Sequence, residues 1–270
     1  MKRILFSGFL FTCLACAPVA ADPIDDAVAA KTRSESNVAR DKYRHPAETL
    51  RFFGVEPDMT VVEIWPGGGW YTEVLGPLLA EEGQLYLAVF SDKAEGQPEY
   101  RARLNKALRE KIKADPAAYG DVKITHLHIP GELVIAPAGS ADRVFTFRNV
   151  HNWLAADQSE TAFKAFFDAL KPGGMLGVVE HRAKPGTDLA AMKQSGYVTE
   201  EKVIELARSA GFELVEKSDV NANPKDTANH PKGVWTLPPS LRLGDTDRAK
   251  YEAIGESDRM TLLFRKPENK

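Results

Sequence analysis

Beyond residue 16 the 270-residue sequence contains no cysteine; its two, Cys13 and Cys16, both fall in an uncharged stretch near the start. A chain relieved of that stretch forms no disulfide, offers no thiolate to a metal and carries no thiol nucleophile. A surplus of positive charge is missing too. Lys and Arg total 35 against 38 Asp and Glu, and removing residues 1–21 takes away Lys2 and Arg3 and no acid. That leaves 33 basic against 38 acidic side chains, a formal charge of −5. So acidic a chain is expected not to bind nucleic acid, whose phosphates demand a basic face. There is no repeat, no low-complexity tract and no Gly-x-Ser-x-Gly elbow of the hydrolase kind.

Long apolar runs are scarce as well. Lys2 and Arg3 precede Ile4 to Ala17, which carry no charge, and Val19-Ala20-Ala21 supplies small residues ahead of Asp22. This is the three-part pattern of a secretory signal, and its apolar run is shorter than the ~20 residues of a permanent membrane span. Cleavage is expected after Ala21, giving a periplasmic or secreted protein with no stable membrane insertion. Lipidation at Cys16 would want an aliphatic residue where Cys13 stands. The rest suits one α/β domain: a polar arm over residues 22–45, a main domain over 46–270, and a Pro-rich covering insertion at 221–258.

Strand and helix patterns alternate through the main domain. His45-Pro46 opens a short helix that stops at Gly54, proline fitting a first helical turn. Strands are expected at Thr60–Trp65, Gln84–Phe90, Lys123–Ile129, Ala141–Phe147, Met175–Glu180, Phe212–Lys217 and Met260–Arg265. Helices are expected at Tyr71–Ala80, Glu99–Lys113, Ser159–Leu170 and Thr199–Ala210, the last with Thr199 as N-cap and Gly211 as stop. Lys171 to Gly174 is read as a turn. Such alternation predicts a mainly parallel sheet with helices on both faces.

Three features carry chemistry. Gly67-Gly68-Gly69 joins the first strand to the first helix, where glycines let a ligand approach the backbone and the helix N-terminus favours a carboxylate or phosphate. Arg148-Asn149-Val150-His151-Asn152-Trp153 follows the fourth strand, either as a polar cluster lining a site or as turn and cap residues. Glu180-His181-Arg182 ends the fifth strand; neighbours on a regular strand point to opposite faces, so one of Glu180 and His181 faces the crevice, and His181 is preferred. His126 and His128 share a strand face without a third ligand in view, so no metal site is expected.

Together with Tyr43-Arg44-His45-Pro46, Leu170 to Gly174 and Gly233 to Pro239, these segments resemble the class I S-adenosylmethionine-dependent methyltransferases. They look most like a group of exported bacterial proteins described only as predicted methyltransferases, over nearly the whole chain after residue 21. The resemblance implies a Rossmann-like seven-stranded sheet with the last strand, Met260 to Arg265, antiparallel. It implies S-adenosylmethionine as cofactor, held by Glu63, Gly67, Gly68, Gly69, Tyr71 and Asn149. Trp65 stands where the usual first glycine would be, and Asp92 is the nearest acid to the usual ribose-binding position, slightly late. On the substrate side the resemblance implies Tyr43, His45, Arg148, Asn152, Trp153 and Trp235. His151, and secondarily His181, is the candidate base for a small-molecule acceptor, a near-neutral pKa suiting proton removal. Trp65 and the late Asp92 also allow a second reading, in which the fold serves as a non-catalytic periplasmic binding protein.

Overall fold

A computed structural model describes residues 22–268; the expected signal segment with Cys13 and Cys16 lies outside the described residues. Among the described residues eight strands form, seven of them in one sheet: β1 Thr60–Ile64, β2 Gln84–Val89, β3 Lys123–His126, β4 Ala141–Phe147, β5 Leu170–His181, β6 Glu213–Ser218, β7 Pro231–Val234 and β8 Arg259–Arg265. The sheet order is β3-β2-β1-β4-β5-β8-β6. The first five of these pair in parallel, and β8 runs antiparallel to both β5 and β6. The expected mainly parallel sheet with an antiparallel last strand is therefore what the chain builds.

The β-branched run of β1 is buried on both faces, as a strand covered by helices on each side must be. Val62 and Ile64 join Val144, Phe163 and Phe166 in one core layer. Val61 joins Phe53, Leu75 and Phe145 in the other. The period-2 alternation of a strand therefore sends Glu63 to the Val61 side, beneath the helix Thr72–Leu79. On β5 the same alternation puts Glu180 with Leu176 and Val178, and His181 with Val179. Strand order reverses between β2-β1 and β4, and in open α/β sheets ligands lie beyond the carboxyl ends of the strands at such a reversal.

Two expectations shift. The Lys171–Gly174 turn is drawn into β5: Leu170 pairs with Ala141, and the register slips before Arg143 meets Met175. The bend persists as an irregularity at the strand's start, with Gly173 at φ +78°. β3 ends at His126 rather than Ile129, because His128 leaves the sheet to pair with Glu132.

The helix Glu200–Ser209 begins as expected, the Thr199 hydroxyl accepting a hydrogen bond from the Lys202 N–H at 3.2 Å. Thr199→Ala is expected to cost about 1 kcal/mol, the usual worth of an N-cap; an unchanged urea midpoint would contradict it. The arm at 22–45 folds into three short helices, Pro23–Val28, Glu35–Val38 and Asp41–Arg44. It is tied to the end of the glycine loop by the Trp70 indole N–H, which donates to the Asn37 carbonyl at 2.9 Å, and to the helix that follows by Ser34, whose hydroxyl donates to Glu73 at 2.5 Å. Among the described residues no helix is long and apolar enough to cross a membrane.

Candidate active site

The loop after β1 sets the geometry. Gly67 and Gly69 have φ of +60° and +80°, the left-handed region open to glycine at little cost. Trp65 holds φ +46° without being glycine. The residue standing in place of the motif's first glycine thus keeps a glycine-like backbone and adds an indole. That indole donates to the Leu127 carbonyl at 3.0 Å and packs between Phe90 and Trp153, each with ring centroids 4.9 Å away. Gly68 has nothing within 4 Å of where a side chain would begin.

A cavity of about 370 Å³ opens there, within the range of small-ligand pockets. One part is walled by Glu63, Trp65, Gly67, Gly68, Phe90 and Arg101; another by Arg40, Arg44, Arg148, His151, His181 and Arg259. The covering segment contributes Trp235, Pro238 and Pro239, and Tyr71, Asn149 and Asn152 complete the lining among the expected residues.

Glu63 is buried, and its one side-chain partner is the Thr72 hydroxyl, which donates to it at 2.6 Å. Burial pushes its carboxyl up to about 7, against a smaller downward pull from Thr72. A carboxylate held at such cost beside a cavity is poised for a cationic ligand group. The Asn149 amide donates to the Ile64 carbonyl at 3.0 Å, bracing β1 against the loop after β4.

At the far wall Glu180, fully buried, accepts three N–H groups: His151 N at 3.1 Å, His151 Nδ1 at 3.0 Å and His181 N at 2.7 Å. When Nδ1–H is given to the carboxylate, the matching neutral tautomer is the one that carries its lone pair on Nε2. His181 lies with its ring centroid 5.3 Å from that of His151, and its Nδ1 meets the Ser257 hydroxyl at 2.6 Å. Burial drives His181 well below the ordinary histidine range, with the nearby His151 and arginines acting the same way, so its ring is neutral. One ligand atom from each of the three side chains lies within 4.8 Å of the others, the spacing of a metal-binding group, a grouping that strand parity alone concealed: Glu180 faces one layer, and the helix Val150–Ala155 brings His151 to it. Those N–H donors fill three of the roughly four lone-pair sites of Glu180, two on one oxygen and one on the other. His126 instead meets Asp92 at 3.0 Å.

Five residues expected at the site lie outside the cavity lining. Asp92 is held by Arg109 at 2.5 Å, His126 and Asn105, which keep its carboxyl well below the usual range, and Phe90 takes the place at the cavity. Trp153 is wholly buried in the core between Trp65 and Phe166. Tyr43 lies against Gly255, where the absence of a side chain makes room for its ring. His45, at φ +41°, is the hinge between two helices. Gly69 turns away and packs on Leu108. Conversely Arg40, Arg101 and Arg259 were not among the expected site residues, and Arg44 entered only within the Tyr43–Pro46 segment of the resemblance. The four-residue spacing of Arg40 and Arg44, which puts both on one helical face, was the available signal for two of them.

No protein-family model and no curated protein sequence matches the chain. The sheet order and helical layers are those of the Rossmann-like methyltransferase fold. Among solved structures the chain is similar to an S-adenosylmethionine-dependent methyltransferase from Aquifex aeolicus, with TM-score 0.55 and 15% identity over 91% of this chain and 99% of that one. It is also similar to the cyclase SpnF, with TM-score 0.59 and 16% identity over 92% and 93% of the two chains. A third is an arsenic(III) S-adenosylmethionine methyltransferase from Chlamydomonas reinhardtii, with TM-score 0.51 and 16% identity over 93% and 75%. Likeness at such identities establishes the fold.

Proposed function

We propose that this protein is an S-adenosylmethionine-dependent methyltransferase acting on a small-molecule acceptor, exported by the signal-like segment at residues 1–21. One observation carries the reading: on a methyltransferase fold, a single cavity joins the glycine loop and Glu63 to the Glu180–His151 pair. Gly67, Gly68 and Glu63 suit the amino-acid end of the cofactor, the open space at Gly68 and the weakly partnered carboxylate being what a backbone-hugging ammonium ligand requires. Bound cofactor supplies a sulfonium-activated methyl group. The chain's own share is positioning and exclusion of water, by the aromatic walls Tyr71, Trp235 and Phe147. Where the acceptor keeps a proton, His151 Nε2 takes it, and Glu180 fixes the tautomer that makes this possible.

Calorimetric titration tests the proposal. S-adenosylmethionine is expected to bind the purified chain, and Gly68→Arg to abolish binding without lowering the melting temperature, since the new side chain projects into open space. Absence of binding at millimolar cofactor sinks the claim.

A second reading, a periplasmic binding protein on the same fold, is favoured by the ribose end: Asp92 is committed elsewhere and Phe90 lines the wall. Mass spectrometry of ligand retained by protein purified from the periplasm separates the two, a non-adenosyl ligand favouring the second.

A further inference from the structure

Apart from Arg101 beside Trp65, four arginines, Arg40, Arg44, Arg148 and Arg259, line the cavity, and the acid paired with three of them is Glu256. Arg40 Nε reaches it at 2.6 Å and Arg44 Nε at 3.1 Å, and Arg259 also pairs with it. Burial pushes the Glu256 carboxyl up, and the guanidinium groups outweigh it, so its net displacement is downward. Counting Glu180 beside His151 and His181 as a second carboxylate at this wall, the four cations still outnumber the acids in a largely buried part of the protein. Buried charge on this scale is costly unless paired.

The unspent hydrogen-bonding capacity is specific. Arg44 is 2% exposed, and both its Nη atoms lack a partner. Its guanidinium carbon lies over the Trp70 ring, 4.8 Å from the centroid, a cation–π contact that uses none of the N–H donors. Arg259 Nε and Arg40 Nη2 also lack partners. The Arg148 guanidinium lines the cavity and makes no hydrogen bond or ion pair among the described residues. Its backbone is held at φ +62°, a conformation that costs a non-glycine residue energy and marks functional loops. Burial and the neighbouring Arg259 lower its pKa to about 10. In-plane guanidinium donors match carboxylate and phosphate oxygens in pairs. The cofactor brings one carboxylate, together with a sulfonium and an ammonium, and so does not balance this surplus.

We propose that the methyl acceptor carries an oxyanion, carboxylate or phosphate, that docks on Arg44, Arg148 and Arg259 with Arg40 beside them. The inference rests on the methyltransferase reading only in naming that ligand the acceptor; the anion site follows from the arginines alone.

The test is calorimetric titration of pyrophosphate and of citrate into the purified chain, with and without saturating S-adenosylhomocysteine. At least one of the two anions is expected to bind in both conditions, and which one binds tells phosphate from carboxylate. Arg148→Gln is expected to weaken that anion ten- to a hundredfold, the range for loss of charge-assisted hydrogen bonds, with the melting temperature held or raised because like-charge repulsion is relieved. Should that variant not fold, Arg40→Gln, whose side chain is a quarter exposed, is expected to show a smaller loss. Anion binding that S-adenosylhomocysteine eliminates would overturn the proposal, since the arginines would then be the cofactor's own carboxylate site. Failure of both anions to bind would overturn it equally. Binding of the anion at an Arg148-sensitive site by a chain that ignores S-adenosylhomocysteine supports the anion site and removes the cofactor reading instead.

Discussion

Glu63→Gln is expected to raise the stability of the protein in buffer by about 3 kcal/mol at pH 8 while leaving it nearly unchanged at pH 4. The cause is the buried carboxyl, whose folded-state pKa of about 7 lies above its ordinary 4.5. Between those values the folded protein holds a proton that the unfolded chain has released. Stability therefore falls as pH rises through that window; the contribution is full below about 4.5 and lost above about 7. At about 1.4 kcal/mol per pH unit of displacement the whole window is worth on the order of 3 kcal/mol. Glutamine keeps an acceptor for the Thr72 hydroxyl and has no proton to lose. The same change deletes the negative partner offered to a ligand ammonium, so S-adenosylmethionine affinity is expected to drop ten- to a hundredfold. Urea denaturation between pH 4 and 8 measures the first effect. Parallel stability profiles for the two proteins would mean that Glu63 titrates normally and that its burial matters little.

A second large effect is expected at Asp226, in the segment that closes the cavity. Its buried carboxylate accepts from Tyr197 Oη at 2.9 Å, from the N–H groups of Ala228 and Asp258 at 2.8 Å each, and meets His230 Nε2 at 2.7 Å. Asp226→Ala leaves these groups without their acceptor, and breaking a buried polar cluster from one side costs about 3–5 kcal/mol. The loss is expected to be local first. Residues 226–258 hold Trp235, Pro238 and Pro239 at the cavity wall, so amide exchange there should quicken before that of the sheet, and ligand affinity should fall with it. Uniform exchange across the chain, or a stability loss below about 1 kcal/mol, would show that the cover is held by its apolar contacts instead.

Glu63 and Asp226 are not equally legible in the sequence. Glu63 could be picked out in the sequence because a strand and a glycine turn bracket it and a family resemblance pointed to it. Asp226 sits in a stretch with no periodicity, and its importance comes from partners up to 32 residues distant. The arginines divide the same way: Arg148 was singled out through its place after a strand, whereas Arg259 at the start of β8 was passed over, because only pairing of β8 with β5 brings it beside His181.

Sequence alone indicated most strands, the principal helices, a mainly parallel sheet and a glycine turn after the first strand, while the reversed last strand came from the family resemblance. What was read directly follows from local rules: β-branched runs make strands, glycines permit left-handed turns, and alternation of strand and helix leaves few topologies. Tertiary structure decided which side chains meet in the cavity. It sent Trp153 into the core and Asp92 to Arg109, placed His151 against Glu180, and gathered three arginines around Glu256 with Arg148 beside them at the cavity. Such meetings depend on charge, burial and packing between segments far apart in the chain, and a local pattern carries no record of them.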